Sequence, residues 1–241
     1  MSPGSERSQG LMSTLHHYPL CPHSRFARLA LAELGVEVDL VEERPWERRD
    51  EFLALDPAGQ TPVLVAEGGL AVPGASVIAE WLDETVGAGA GERRLMPDDP
   101  RARVEVRRLV AWFSGKFWDE VTGYLVNEKI YKRFVPPASG GGPPDMASIR
   151  AARANVRYHL RYIGFLAQRR NFLAGDALTY ADLAAAAHIS CVDYLGDAPW
   201  GEDEAAKTWY ARVKSRPSFR ALLADKIPGM APADSYADLD F

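Results

Sequence analysis

The sequence predicts two lobes, an α/β lobe followed by an all-α lobe. Three observations carry this. Strand and helix signals alternate over residues 13–86, strand signals stop after Arg101, and the net charge of −5 divides unevenly along the chain. Residues 13–86 carry −8, residues 101–230 carry +7 and residues 231–241 carry −3. Two lobes with different surfaces would give such a split. A chain of 241 residues, 47% apolar and 25% charged, suits one large domain or two small ones and excludes wholesale disorder.

Within the first lobe, Thr14 to Tyr18 reads as a strand ended by Pro19. Pro22 opens a helix with Ala27, Ala30, Leu31 and Leu34 at helical spacing, and Gly35 stops it. Val36 to Val41 alternates with period two, a second strand. Arg48 to Leu55 is a short helical stretch. Thr61 to Val65 and Leu70 to Val72 form a hairpin through Gly68 and Gly69. Ala75 to Thr85 is helical, with Val77, Ile78, Trp81 and Leu82 expected on one face. The order is βαβαββα.

Residues 87–100 are rich in Gly, Ala, Pro and Asp and read as a linker. Arg101 to Phe134 is one long helical pattern with Leu109, Trp112, Phe113, Phe117, Val121 and Leu125 as its apolar stripe. Pro136 to Pro144 is an irregular loop, and Met146 to Gln168 a second long helix. Thr179 to Leu195 is apolar nearly all round, the mark of a buried helix. Thr179 and Asp182 form a capping box at its start. Ala205 to Lys214 and Pro217 to Asp225 are shorter helices. The expected divisions are an unstructured extension at 1–12, the α/β lobe at 13–86, the linker at 87–100, the helical lobe at 101–230 and a tail at 231–241.

Several function classes are disfavoured. The acidic balance argues against a generally basic nucleic-acid binder. No apolar run approaches the ~20 residues that span a membrane. The polar start lacks a signal core. Two cysteines make no disulfide framework, so a cytoplasmic setting is expected. No His/Cys/Asp/Glu cluster has metal-ligand spacing, and His188 and Cys191 read as core residues of the buried helix.

Cys21 stands at or just before a helix N-terminus, with Pro22 suited to the first helical position. Unpaired N–H groups and the macrodipole there favour a thiolate. Ser24, one turn on, is an alternative hydroxyl; without a second cysteine there, no dithiol cycle can run. Arg150, Arg153, Arg157 and Arg161 form one stripe along the second long helix, and Lys129, Lys132 and Arg133 crowd the end of the first. They form either a solvated face or a contact for an acidic protein partner. The tail places Tyr236, Leu239 and Phe241 among acids, which suggests docking, on this chain or on a partner.

Three motifs carry a resemblance: Cys21-Pro22-x-Ser24, Gln60-Thr61-Pro62-Val63 and Gly175-Asp176-x-Leu178-Thr179-Tyr180-Ala181-Asp182. Over roughly residues 13–225 the chain resembles the glutathione S-transferase family. That resemblance implies a thioredoxin-like N-terminal domain, an all-α C-terminal domain and a homodimer. It implies a glutathione site in which Thr61, before a cis Pro62, pairs with the cysteinyl part, and Ser76 takes a carboxylate. Cys21 or Ser24 would be catalytic in an enzyme. The chain departs from the pattern at Ala75, where the family has Glu or Gln before the serine. Losing that charge-assisted bond costs roughly 1.5–3 kcal/mol of glutathione affinity. The run from Ala205 to Pro217 and the Asp-Leu-Asp-Phe end are similar to a narrower group, the FzlA-like division proteins that bind the tubulin-like GTPase FtsZ. The expected function is a non-catalytic adaptor on FtsZ filaments that requires no cofactor. The alternatives are glutathione-dependent transfer or thiol transfer at Cys21 or Ser24, and a small-molecule carrier.

Overall fold

The computed structural model describes residues 13–239. The expected extension at 1–12 and the proposed contact Phe241 lie outside the described residues. The first lobe contains β1 (Thr14–His17), α1 (Pro22–Leu34), β2 (Asp39–Glu42), α2 (Asp50–Leu55), β3 (Val63–Val65), β4 (Ala71–Pro73) and α3 (Ala75–Thr85). Its four strands run in the order β2-β1-β3-β4. β1 pairs with β2 in parallel and with β3 antiparallel, Leu15 lying opposite both Leu40 and Leu64. This is a small mixed sheet with helices packed on it.

Local chemistry sets the helix ends. Pro22 supplies a preset φ and needs no donor at the first position of α1. Gly35 closes that helix at φ 72°, left-handed backbone that glycine adopts without strain. β2 begins later than expected, at Asp39, because its register is fixed by pairing with β1. Val36 and Val38 pack instead against the core. On α3 the buried face is Ala75, Ile78, Ala79 and Leu82. Val77 does not belong to it and is 55% exposed.

The second lobe contains α4 (Pro100–Ala111), α5 (Gly123–Lys129), α6 (Met146–Ala167), α7 (Tyr180–Tyr194), α8 (Glu204–Lys214) and α9 (Arg220–Leu223). Asp99 caps α4 by accepting from Ala102 N–H at 3.0 Å. Between α4 and α5 the helix continues as a π-helical segment, Trp112–Thr122. The reason is legible in the stripe: Leu109, Phe113, Phe117, Val121 and Leu125 recur every four residues and are all fully buried. A four-residue repeat drifts by about 40° per turn on an α-helix. Wider π turns keep the stripe facing inward.

α7 is the hub. Every one of its residues is buried, and it packs against α1, α4, α8 and the π-helical segment. Its N-terminus carries the capping box. The Asp182 carboxylate accepts from Thr179 N–H at 3.1 Å, and Thr179 Oγ1 accepts from Ala181 N–H at 3.3 Å. Asp182 also accepts from Leu173 N–H and from Trp209 Nε1, at 2.8 and 3.0 Å, so one buried carboxylate ties three segments. Burial pushes its pKa up.

The tail docks on its own chain. Tyr236 is fully buried, its ring 5.1 Å from that of Tyr194, and its hydroxyl donates to Leu222 O at 3.0 Å. The same hydroxyl accepts from Arg25 of α1 at 2.9 Å. Tyr236, expected as a partner contact, therefore pins the two lobes together and is not open to a partner.

Candidate functional site

Cys21 is the N-cap of α1, in extended backbone, with Pro22 after it. Its N–H donates to Tyr18 O at 3.0 Å, and its Sγ–H donates to Thr61 O at 3.6 Å. The Thr61-Pro62 bond is cis, as the motif implied. The thiol is only 4% exposed. Tyr131, from the turn after α5, lies against it, and burial pushes the Tyr131 phenol well up. Tyr18, Trp46 and Tyr131 form a ring-on-ring cap with centroids 5.1–5.6 Å apart, and Phe134 stacks on Trp46 at 5.8 Å. No motif announced this lid; its outer half comes from a Tyr-Lys-Arg-Phe run that reads as a helix end.

Ser24 is fully buried, and its Oγ accepts from Tyr18 N–H at 3.2 Å. It closes the loop before α1 and does not line the cleft beside α3. Cys191 donates to Leu20 O at 3.5 Å, and burial pushes its thiol up to about 12. Both thiols are expected to react slowly with a thiol reagent. Opening the lid with Tyr131→Ala is expected to speed labelling of Cys21 by roughly tenfold, about 1.4 kcal/mol of opening free energy. Equal rates in the two proteins would show that the lid does not guard the thiol.

A cleft of about 430 Å³ lies beside this group, between the start of α3 and the second lobe. Thr61, Ser76 and His23 line it, with Ser114 of the π-helical segment opposite; Cys21 does not. Asp56 is its one acidic wall residue, and each of its oxygens accepts a backbone N–H, from Ala58 and from Gln60, at 3.1 Å. Behind His23 stands His188, ring to ring at 5.1 Å. His188 Nδ1 bonds Thr122 Oγ1 at 2.8 Å, while its Nε2 is buried without a partner among the described residues.

The basic stripe is largely spent inside the chain. Lys129 and Arg153 converge on the buried carboxylate of Asp197, each at 2.7 Å. Arg157 pairs with Glu202 at 3.0 Å, Lys132 with Glu128 at 2.6 Å, and Arg133 donates to Gly229 O at 2.9 Å. Arg150 and Arg161 are exposed and form no ion pair among the described residues. Asp197 was not singled out in the sequence; an aspartate in a Gly-Asp-Ala-Pro turn carries no mark of the two cations it receives.

Residues 20–85 match the family model for the glutathione S-transferase N-terminal domain, and residues 151–226 match that for the C-terminal domain. The chain belongs to the glutathione S-transferase family. It is 47% identical to FtsZ-localized protein A of Caulobacter vibrioides, over 95% of this chain and 98% of that one. Among solved structures, a glutathione S-transferase from Sinorhizobium meliloti matches with a TM-score of 0.93 at 50% identity, covering 95% of this chain and all of the other. FzlA from C. crescentus matches with a TM-score of 0.88 at 46% identity, covering 96% of this chain and all of the other. The glutathione S-transferase fold, with its small mixed sheet and helical domain, is therefore the fold of this chain. No helix among the described residues is long and apolar enough to cross a membrane.

Proposed function

We propose that the chain is a non-catalytic adaptor that binds FtsZ filaments in bacterial cell division. In this reading it is a cytoplasmic homodimer that needs no cofactor. One observation carries it: similarity along almost the whole chain to a protein named for its localisation with FtsZ. The site supports it. Cys21 is 4% exposed, packs with Tyr131 and is not among the residues lining the cleft, which disfavours its reaction with a thiol held there. The acid or amide that the family pattern places before the serine, to receive a γ-glutamyl ammonium, is replaced by Ala75.

Within the basic stripe, Arg150 and Arg161 remain for an acidic partner surface. The native chain is expected to sediment with polymerised FtsZ, less so at high salt as exposed charges are screened. The double variant Arg150→Glu, Arg161→Glu is expected to bind roughly tenfold more weakly, about 1.4 kcal/mol. Absence of native co-sedimentation overturns the adaptor reading; undiminished binding of the double variant moves the contact off α6. Sedimentation equilibrium of the free protein reads the dimer, and a monomer there removes that part. A second reading, glutathione-dependent transfer at Cys21, is favoured by one feature, the place of Cys21 ahead of Pro22 at α1. Thiol-transferase activity that disappears in Cys21→Ala would put it in the adaptor's place.

A further inference from the structure

On the side away from the cis-proline, the sheet ends at β2, which is bonded only to β1. Asp39 N–H donates to Ser13 O at 2.9 Å, and just past the strand Glu43 N–H donates to His17 O at 2.7 Å. Alternate residues of a parallel pair face the neighbour, so Leu40 and Glu42 aim their N–H and C=O away from β1. Those groups have no backbone partner among the described residues. Such an edge is a template for one more strand.

Beside the edge lies a groove of about 580 Å³, between β2, the end of α1 and α9. Its apolar wall is Leu31, Val36, Val38, Leu40 and Leu222. Leu40 stands opposite Leu15 in the register and shares its side of the sheet. Leu15 is fully buried, whereas Leu40 is 48% exposed. A strand added beyond β2 would set a side chain next to Leu40, inside the groove.

Charge selects the occupant. Asp39 and Glu42 are the charged residues of β2, Glu37 lies just before it, and all three are exposed. Glu37 and Asp39 form no ion pair among the described residues, and Glu42 meets Arg44 loosely at 3.6 Å. The cation in the groove wall, Arg28, is spent on Asp225, and Arg93 lies against Gly35, past the end of α1. The strand side of the groove is therefore acidic. A second copy is a poor occupant: two β2 strands paired antiparallel about Leu40 and Val41 would set Asp39 against Glu42. Like charges directly opposite are destabilising. A strand carrying Lys or Arg meets acids instead. Side chains alternate between the two faces, so apolar residues in the groove leave their neighbours on the face of Asp39.

We propose that the β2 edge takes up an extended segment of a partner protein in which apolar residues alternate with Lys or Arg, the apolar ones in the groove and the basic ones beside Asp39. The inference does not depend on the FtsZ reading, and its test contains no FtsZ, so either can fail alone.

The test is a titration of the full, isotope-labelled chain, read at the backbone amides. The probes are peptides acetylated and amidated at their ends: Lys-Val-Lys-Val-Lys-Val-Lys, its counterpart Glu-Val-Glu-Val-Glu-Val-Glu, and the regrouped Lys-Lys-Val-Val-Val-Lys-Lys. The alternating basic peptide is expected to shift the Leu40 and Glu42 amides and to slow their hydrogen exchange. The glutamate peptide is expected to bind at least about tenfold more weakly, and the regrouped peptide severalfold more weakly. Glu42→Pro removes one outward N–H at an edge, where proline is tolerated, and is expected to weaken the basic peptide more than Glu42→Gln does. Asp39→Lys, at an exposed position, is expected to erase the preference for the basic peptide over the acidic one. Equal binding of the alternating and regrouped peptides reduces the contact to charge alone and overturns the added strand. Glu42→Pro that folds and binds like Glu42→Gln overturns the backbone pairing. If Glu42→Pro does not fold, Asp39→Lys decides, and an unchanged preference there overturns the proposal. Shifts confined to other amides, or none at millimolar peptide, overturn the site. Leu40 and Glu42 amides that become protected as the free chain dimerises would give the edge to a second copy and overturn the partner.

Discussion

Replacing Asp225 with alanine is expected to destabilise the chain by about 3–5 kcal/mol, because it strands two buried cations at once. Arg25 and Arg28 stand three apart on α1 and so share a face. Arg28 grips Asp225 with both arms, at 2.8 and 3.0 Å, and Arg25 reaches the same carboxylate at 3.2 Å. The Arg25 side chain is 0% exposed, Arg28 7% and Asp225 10%. The other acceptors of Arg25 are neutral: Pro19 O at 2.7 Å, Ser190 Oγ at 2.8 Å and the Tyr236 hydroxyl. Without Asp225 no anion in this group balances either guanidinium. In a chain of this length each kcal/mol moves the melting temperature by about 2–4 °C, so a fall of about 10 °C is expected. Urea denaturation with thermal melting measures it. Tyr236→Phe, which removes only a hydroxyl, should cost about 1–2 kcal/mol. Arg153→Ala provides the contrast: that side chain is 49% exposed, and its ion pair should contribute less than about 1 kcal/mol. If Asp225→Ala costs no more than Arg153→Ala, the inter-lobe group is not what joins α1 to the helical lobe.

The elements legible in the sequence were those whose ends are fixed locally. α1 is bounded by Pro22 and Gly35, α3 follows Gly74, and α7 starts at its own capping box. β2 was less legible, because a strand's register belongs to its neighbour: β1 pairs with Asp39 to Glu42 and leaves Val36 and Val38 to the core. In the 101–134 stripe Leu109, Phe113, Phe117, Val121 and Leu125 are buried and Trp112 only partly so, and where the four-residue spacing predicts one regular helix the chain widens into π turns. At the site, Cys21, Thr61 and Ser76 could be found because motifs carry them. The burial of Cys21 could not, since it depends on Tyr131 and Trp46, distant in sequence from Cys21 and from each other. The tail shows the same limit. Its spaced apolar residues announced docking, yet only the fold reveals that Tyr236 meets Arg25, 211 residues away.

The second large effect is expected on acidification, and it comes from histidines that the fold keeps neutral. Burial lowers His17 to about 4, helped by the nearby Arg28 and Arg25 and opposed by Asp225. Its Nδ1 is buried without a partner among the described residues, so a proton there would gain no hydrogen bond from the protein. Burial also lowers His23 to about 4 and drives His188 well down, with His23 beside it. In the unfolded chain each of these rings takes up a proton near pH 6.5. Between about pH 6.5 and pH 4 the unfolded state therefore binds more protons than the folded one. Stability is full above pH 6.5 and is lost as pH falls through that window. At pH 5 the loss is roughly 2 kcal/mol each for His17 and His23, before any share from His188. Glu105, held near 2 by Arg108 and Arg170, adds a separate loss below pH 4.5. Urea midpoints at pH 7 and pH 5 test the first window, with His17→Asn expected to flatten part of the difference. Equal midpoints at the two pH values, or a His17 that titrates near 6.5 in the folded chain, would refute it. The two large effects meet at one place. Asp225 is the charge that raises the His17 pKa, so Asp225→Ala should hold His17 neutral to still lower pH while it frees the arginines that face it.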